Sequence, residues 1–163
     1  MIRKIEVERF TLGSSKSFDH VVAALNSAVG HPDMSEFWKS TDRAQSDAEL
    51  QHTIEKGLGR TGLMLFVEFD HGAIVRKGRG DATPRMIRFV IGNPLIMRQM
   101  VQHVPDAGSY APVTILIDER SDGVHLSYDR MTSFLTPYNN SEALKVARDL
   151  DEKVEALINA AAN

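Results

Sequence analysis

Hydrophobic and polar residues recur along this chain with two different periods, and each period predicts a kind of element. A period of two, which turns alternate side chains to opposite faces of a strand, begins in residues 2–12, where Ile5 and Val7 alternate with charged residues. A nearly continuous apolar run at 63–69 predicts a strand that is covered on both faces near its middle. Three further strands are predicted at 85–91, 113–119 and 124–128, the last two as a hairpin around Asp122-Gly123.

A period close to 3.6 residues predicts helices between these strands. Each predicted helix follows a residue whose side chain can accept a hydrogen bond from the helix start. These predicted caps are Ser17, Asp33, Ser46, Asn93 and Asn139. The last of them precedes the longest apolar stripe, in which Ala143, Ala147, Leu150, Val154, Leu157 and Ile158 share one face. One helical turn is also predicted in the segment HGAIVRK, before the loop GRGDATP.

The order of these elements, β-α-(α)-α-β-β-α-β-β-α, predicts an α+β fold. Each amphipathic helix must bury its stripe against another layer, so we expect a two-layer sandwich. Its sheet is predicted to be mainly antiparallel, with about five strands and with helices on one face. Since the sequence contains no repeat and no linker long enough to separate two units, residues 1–163 are predicted to form a single domain.

Composition limits the classes of function. The 163 residues carry a formal net charge of −3, which does not suggest nucleic-acid binding, and they include no cysteine, which excludes disulfides and thiolate chemistry. The N-terminal residues alternate rather than form the apolar core of a signal peptide, and no segment reaches the roughly 20 apolar residues of a membrane span. We therefore expect a cytoplasmic protein that does not bind a membrane. No cofactor motif is present.

A short turn in the segment IGNPLIMRQMVQHVP draws attention because it joins an apolar strand to a methionine-rich helix. Gly92 permits a sharp exit from the strand, Asn93 is a favourable helix cap, and Pro94 suits the first helical position. Such a turn can simply start its helix. It can also present free N–H groups, at the positive end of the helix dipole, to an anionic ligand.

The motifs VEFDH, FVIGNP and SYD, with the Asp-Gly turn of the hairpin, together resemble the bacterial and archaeal family called domain of unknown function 302. The resemblance covers about residues 47–135, which would be the family-like core of the domain. It carries the family pattern onto Asp70, His71, Tyr128 and the turn at 92–94. The resemblance implies the fold and a dimer. It implies no mechanism, since the family has no established activity.

An enzyme is one alternative for these residues. A carboxylate beside an imidazole can orient it, so Asp70 and His71 could provide a general base, with Tyr128 in support. The two neighbours point to opposite faces of a strand, however, unless the chain bends after Asp70. Asp70 can equally cap the following helical turn, and Tyr128 can equally be a core residue whose hydroxyl is hydrogen-bonded.

A metal- or haem-binding protein is a further alternative. Met97, Met100 and His103 recur at three-residue spacing and could supply soft ligands, although methionine stripes on helices usually fill a core. No histidine pair with zinc-binding spacing occurs, so no metal site is predicted. The segment RKGRGDATPRMIR holds five basic residues against Asp81 and could attract an anion, or could be a solvated loop.

The sequence favours a non-enzymatic domain that binds a small molecule, possibly an anionic one, or a partner protein. The expected ligand site combines His71, Gly92, Asn93, Pro94 and Tyr128. We also expect a homodimer, because the N-terminal strand is predicted at a sheet edge and an apolar cluster, Met34, Phe37 and Trp38, follows the first helix. The identity of the ligand and the pathway lie beyond the sequence.

Overall fold

The computed structural model describes residues 2–80 and 83–163, which form one antiparallel sheet with helices packed on it. The strands are β1 (Arg9–Ser14), β2 (Met64–Asp70), β3 (Met86–Gly92), β4 (Val113–Arg120) and β5 (Gly123–Asp129). The helices are α1 (Phe18–Ala28), α2 (Met34–Arg43), α3 (Asp47–Gly57), α4 (His71–Arg79), α5 (Pro94–Val101), α6 (Met131–Leu135) and α7 (Ser141–Ala162). Short 3-10 helices occupy Pro105–Ser109 and Thr136–Tyr138.

The sheet has the order β1-β5-β4-β3-β2, and each neighbouring pair is antiparallel. Strands β1 and β2 therefore form its two edges. Alternation along β3, β4 and β5 turns Phe89, Ile115 and Leu126 to the same face, where all three are fully buried. The predicted α+β fold with a five-stranded, mainly antiparallel sheet is confirmed.

Helices α1, α5 and α7 cover that apolar face. Helix α7 packs against α1 and α5, and it also contacts β1 and β5. Its predicted stripe is buried throughout, from Ala143 to Ile158. The opposite face of β3, β4 and β5 carries residues such as Arg88, Thr114 and Ser127, so helices cover a single face of the sheet, as predicted.

Several element boundaries differ from the predictions. The first strand begins at Arg9, because residues 2–8 do not pair with another strand. The cap of α7 is Asn140, whose Oδ1 accepts the Ala143 N–H, whereas Asn139 adopts the left-handed conformation one residue earlier. Helix α6 was not predicted at all. Within the predicted loop at 78–84, Asp81 and Ala82 lie outside the described residues.

The segment that contains α2 and α3 is an excursion from the main domain. Its two ends cross in close contact and are joined by backbone hydrogen bonds. The Gly30 and Gly59 N–H groups both donate to the Leu63 carbonyl at 2.9 Å, and the Leu65 N–H donates to the Gly30 carbonyl at 2.8 Å. A side chain at Gly30 would collide with the Gly57 backbone, so this crossing requires glycine. The excursion has its own small core of Phe37, Ile54 and Met64.

Candidate functional site

A cavity of about 460 Å³ lies where the excursion, the start of α5 and the loop before β4 meet. This size falls within the range typical of small-molecule sites. We call it the α5 cavity. The residues that line it are Met34, Trp38, Phe66, Val67, Val90, Gly92, Asn93, Pro94, Ile96, Met97, Met100, Gly108, Ala111, Pro112, Val113 and Leu150. Its wall is therefore almost entirely apolar, with methionine and aromatic side chains on several sides.

The turn at 92–94 forms one wall of the α5 cavity. The Asn93 side chain caps α5, since its Oδ1 accepts the Leu95 N–H at 2.8 Å. Its Nδ2 donates to the Gly62 carbonyl at 3.0 Å, which ties the helix start to the segment before β2. Pro94 occupies the first helical position, where its missing N–H costs nothing. The turn thus holds a rigid wall in place.

A β-bulge places an aromatic ring beside this turn. The pairing of β2 with β3 shifts register between Leu65 and Val67, which leaves Phe66 as the extra residue. Bulges redirect side chains, and here the Phe66 ring meets the indole of Trp38 in a stacked contact with 6.2 Å between centroids. Trp38 also contacts Phe37 edge-on, and Phe37 is anchored in the small core of the excursion.

The polar groups near the α5 cavity are mostly satisfied within the protein. Pro94 has no N–H, the Leu95 N–H is bonded to the Asn93 side chain, and the Met97 N–H donates to the Asn93 carbonyl at 3.1 Å. The residues that line the cavity include no charged side chain. The expected anionic ligand therefore receives no support from this geometry, because an ionised group buried there would lack a counter-charge. The cavity suits an apolar molecule, or the apolar part of one.

Tyr128 lies in the core and is not among the described residues that line the α5 cavity. Its hydroxyl donates to Asp151 Oδ1 at 2.6 Å, and both residues are buried. Burial and the neighbouring carboxylate raise the pKa of Tyr128 far above its usual value, which keeps the phenol protonated. Asp151 also accepts N–H groups of Met131 and Thr132, so its carboxylate fixes the start of α6 to α7. This arrangement is structural.

Asp70 and His71 do not cooperate. Asp70 caps α4, since its Oδ1 accepts the Ala73 N–H at 2.7 Å, and its Oδ2 lies 3.3 Å from Arg76 Nη2. The His71 ring instead stacks on Phe69, with 5.9 Å between centroids and 3° between planes. The carboxylate therefore serves the helix start and the arginine, and the imidazole is held by an aromatic contact.

The structure does not bring the predicted site residues together. Asp70 pairs with Ile87 and Gly92 with Met64, so His71 and Asn93 lie at opposite ends of the β2–β3 pair, about 17 Å of strand apart. Strands β3 and β4 separate β2 from β5, which carries Tyr128. The expected pocket of His71, Asn93 and Tyr128 does not form. Only Gly92, Asn93 and Pro94 of the predicted set line the α5 cavity.

The remaining sequence candidates have other partners. Met97 and Met100 line the α5 cavity, but His103 is exposed and contacts Gln102. Across residues 2–80 and 83–163, no three His, Cys, Asp or Glu side chains lie close enough to hold a metal ion. In the basic segment, the Arg85 guanidinium binds Asp19 at 2.5 Å and lowers the pKa of that carboxyl. Asp81 of that segment is outside the described residues.

Two important wall residues, Trp38 and Phe66, were not part of the predicted site. The signal for Phe66 was the apolar run at 63–69, in which strict alternation fails at the position of the bulge. Trp38 was noted as an apolar surface residue, but its contact with β2 depends on the fold of the excursion. The apolar cluster expected at a subunit contact is divided, since Phe37 is buried and Met34 and Trp38 line the cavity.

Comparisons with known proteins place these observations in a family. The family model described as Domain of unknown function DUF302 matches residues 38–161. A solved structure with similar architecture is described as the crystal structure of an uncharacterized conserved DUF302 protein from Bacillus stearothermophilus, with a TM-score of 0.65 at 12% sequence identity. The similarity covers 94% of this chain and 97% of that one, and at this identity it supports the fold. No curated protein matches the sequence. None of the described helices is both long and apolar enough to cross a bilayer.

Proposed function

This chain belongs to the DUF302 family, whose description names no function, and from that premise we propose that it binds a small molecule whose apolar part fills the α5 cavity. One observation carries the proposal: a cavity of about 460 Å³ is walled almost entirely by apolar side chains, and none of the described residues that line it is charged. When a ligand displaces water from a concave apolar surface, the free energy falls, and this favours binding.

The walls of the cavity favour recognition by dispersion and ring contacts. Met97 and Met100 are flexible and polarisable, so they can adapt to the shape of a ligand. Trp38 is half exposed and stacks on Phe66, so the two rings offer an aromatic surface to a ligand. The rigid turn at 92–94 supplies a fixed wall against which the methionines can pack a ligand.

The chain's single tryptophan provides the test, because Trp38 lines the cavity. The neutral fluorescent probe 1-aminoanthracene is titrated into the protein, and energy transfer from Trp38 is recorded. We expect saturable binding to the wild type. Met97→Glu should bind the probe at least about tenfold more weakly, because a carboxylate in the wall resists desolvation.

The matched control is Gln99→Glu, which adds the same charge to the same helix at an exposed position outside the cavity lining. It should bind the probe as the wild type does, and circular dichroism should show both variants folded. Absence of saturable binding to the wild type, or equal binding by Met97→Glu, would overturn the proposal.

We also propose that the protein forms a homodimer through β2 and α4. Four of its exposed large apolar side chains, Val67, Phe69, Ile74 and Val75, lie on this edge strand and the helix that follows it. An edge strand with exposed apolar residues is a natural site for pairing with a second copy. This surface replaces the N-terminal strand as the expected contact.

A further inference from the structure

A second apolar depression adjoins the α5 cavity. It measures about 370 Å³ and lies between α3 and α5, and we call it the α3–α5 groove. The residues that line it are Trp38, Thr41, Leu50, Ile54, Pro94, Leu95, Met97, Arg98, Val101 and Gln102. Three of these, Trp38, Pro94 and Met97, also line the α5 cavity, so the two spaces share one wall.

The shared wall can be crossed by a flexible ligand. Pro94 is fixed in the first turn of α5, but Trp38 is half exposed and Met97 has an unbranched, flexible side chain. A molecule seated in the cavity can therefore continue past these two side chains into the groove. A rigid, compact ligand would use the cavity alone, whereas an elongated chain would bury additional apolar surface in the groove.

The groove differs from the cavity in its rim, where polar groups appear. Arg98 on α5 and Gln102 at its C-cap lie one turn apart and line the groove. Arg98 is the one charged residue among the described residues that line it. The Arg98 guanidinium pairs with Asp47 at the start of α3. The Arg98 side chain is about half exposed, and a guanidinium has five N–H donors, so Arg98 retains donors for a second carboxylate.

We infer that the ligand is a single-chain carboxylate amphiphile, whose alkyl chain runs from the α5 cavity across Met97 into the α3–α5 groove and whose carboxylate binds Arg98. This inference rests on the proposed function, since it assigns the ligand class of the same site. It also explains why the groove that adjoins an uncharged cavity carries an arginine. The anionic group stays at the exposed rim, and only the methylenes are buried.

The test compares straight-chain carboxylates from hexanoate to tetradecanoate with the alcohols of the same length. Each is kept below its aggregation concentration, and displacement of 1-aminoanthracene is measured. Affinity should rise about fourfold for each added methylene while the chain is filling the two spaces. Each carboxylate should bind the wild type more tightly than its alcohol by about two- to fivefold, the range of an exposed ion pair.

Three variants identify the carboxylate contact. Arg98→Gln should remove the preference for carboxylate over alcohol, and Asp47→Asn should increase it, because the guanidinium loses its competing partner. Arg43→Gln removes an arginine from the neighbouring helix α2, outside both linings, and should change nothing. The opposite signs expected for Arg98 and Asp47 distinguish a head-group contact from a general loss of folding.

The outcomes separate this inference from the proposed function. If 1-aminoanthracene does not bind, the proposed function fails. If the probe binds but affinity does not depend on chain length, or carboxylates and alcohols bind alike to the wild type and to Arg98→Gln, the α5 cavity stands and the amphiphile inference is overturned. Dependence on chain length together with the two opposite effects would support it.

Discussion

The Tyr128 hydroxyl donates a 2.6 Å hydrogen bond to Asp151 inside the core and so links β5 to α7. The same carboxylate accepts bonds from the Met131 N–H at 2.7 Å and from the Thr132 hydroxyl at 2.6 Å. A buried charge is tolerated here because its oxygens are well supplied with donors. Tyr128, which the sequence offered in support of a general base, is therefore part of the structural framework.

Removal of this carboxylate should destabilise the protein strongly. Asp151→Ala leaves the Tyr128 hydroxyl and two N–H groups buried without their acceptor, so we expect a loss of about 3–5 kcal/mol in the free energy of unfolding. Asp149→Ala is the matched control, because Asp149 lies on the same helix and is exposed, and it should stay within about 0.5 kcal/mol of the wild type. Urea denaturation measures both, and equal effects would contradict this role of Asp151.

The stability of the protein should fall at high pH because of Tyr128. Its pKa is raised in the folded state, so the contribution is fully present below the unfolded pKa of about 10 and is lost as pH rises above it. As the pH rises from about 8 to about 11, the free energy of unfolding should fall less for Tyr128→Phe than for the wild type. The other titrating groups are common to both proteins. Parallel pH profiles would contradict the prediction.

The cap of α5 should contribute measurably to stability. Asn93→Ala removes the acceptor for the Leu95 N–H and the donor to the Gly62 carbonyl, so unfolding should become easier by about 1 kcal/mol. Asn93→Asp keeps the acceptor and loses only the donor, and should cost less. If urea denaturation shows that Asp is as damaging as Ala, the bond to Gly62 rather than the cap holds this turn.

The proposed dimer should depend on Phe69. This side chain is 44% exposed on the edge strand β2, and Phe69→Lys should give a monomer, since lysine on an edge disfavours strand pairing. Ile2→Lys, which changes an apolar residue that is 93% exposed, should leave the dimer intact. Light scattering at high micromolar concentration tests both. A wild-type monomer under these conditions would end the proposal.

Local patterns in the sequence predicted the fold well because they are set by local physics. Four of the predicted caps accept a hydrogen bond from an N–H group at the start of their helix, as expected. They are Ser17, Asp33, Ser46 and Asn93. The predicted core stripe of α7 is buried, because its period matches the helix. Helix α6 escaped prediction because its start is held by Asp151, which lies some twenty residues further along the chain.

The candidate site was predicted only in part, since its walls come from distant segments. Gly92, Asn93 and Pro94 were recognised from their turn chemistry, but nothing in the sequence places Trp38 against Phe66. That contact depends on a bulge in β2 and on the path of the excursion through Gly30. Two motifs on successive strands can also lie far apart. Asp70-His71 and Gly92-Asn93-Pro94 lie at opposite ends of the β2–β3 pair.

The methionine methyl groups test the central claim most directly, because they lie both inside and outside the α5 cavity. Met34, Met97 and Met100 line it, whereas Met64, Met86 and Met131 do not. The protein is labelled at its methionine methyl carbons, and NMR spectra are recorded during titration with 1-aminoanthracene. The account predicts saturable shifts of the Met34, Met97 and Met100 signals, caused by the ring of the probe, with little change at the other three. Shifts at Met86 or Met131 instead, or no saturable shift at the three cavity methionines, would contradict it.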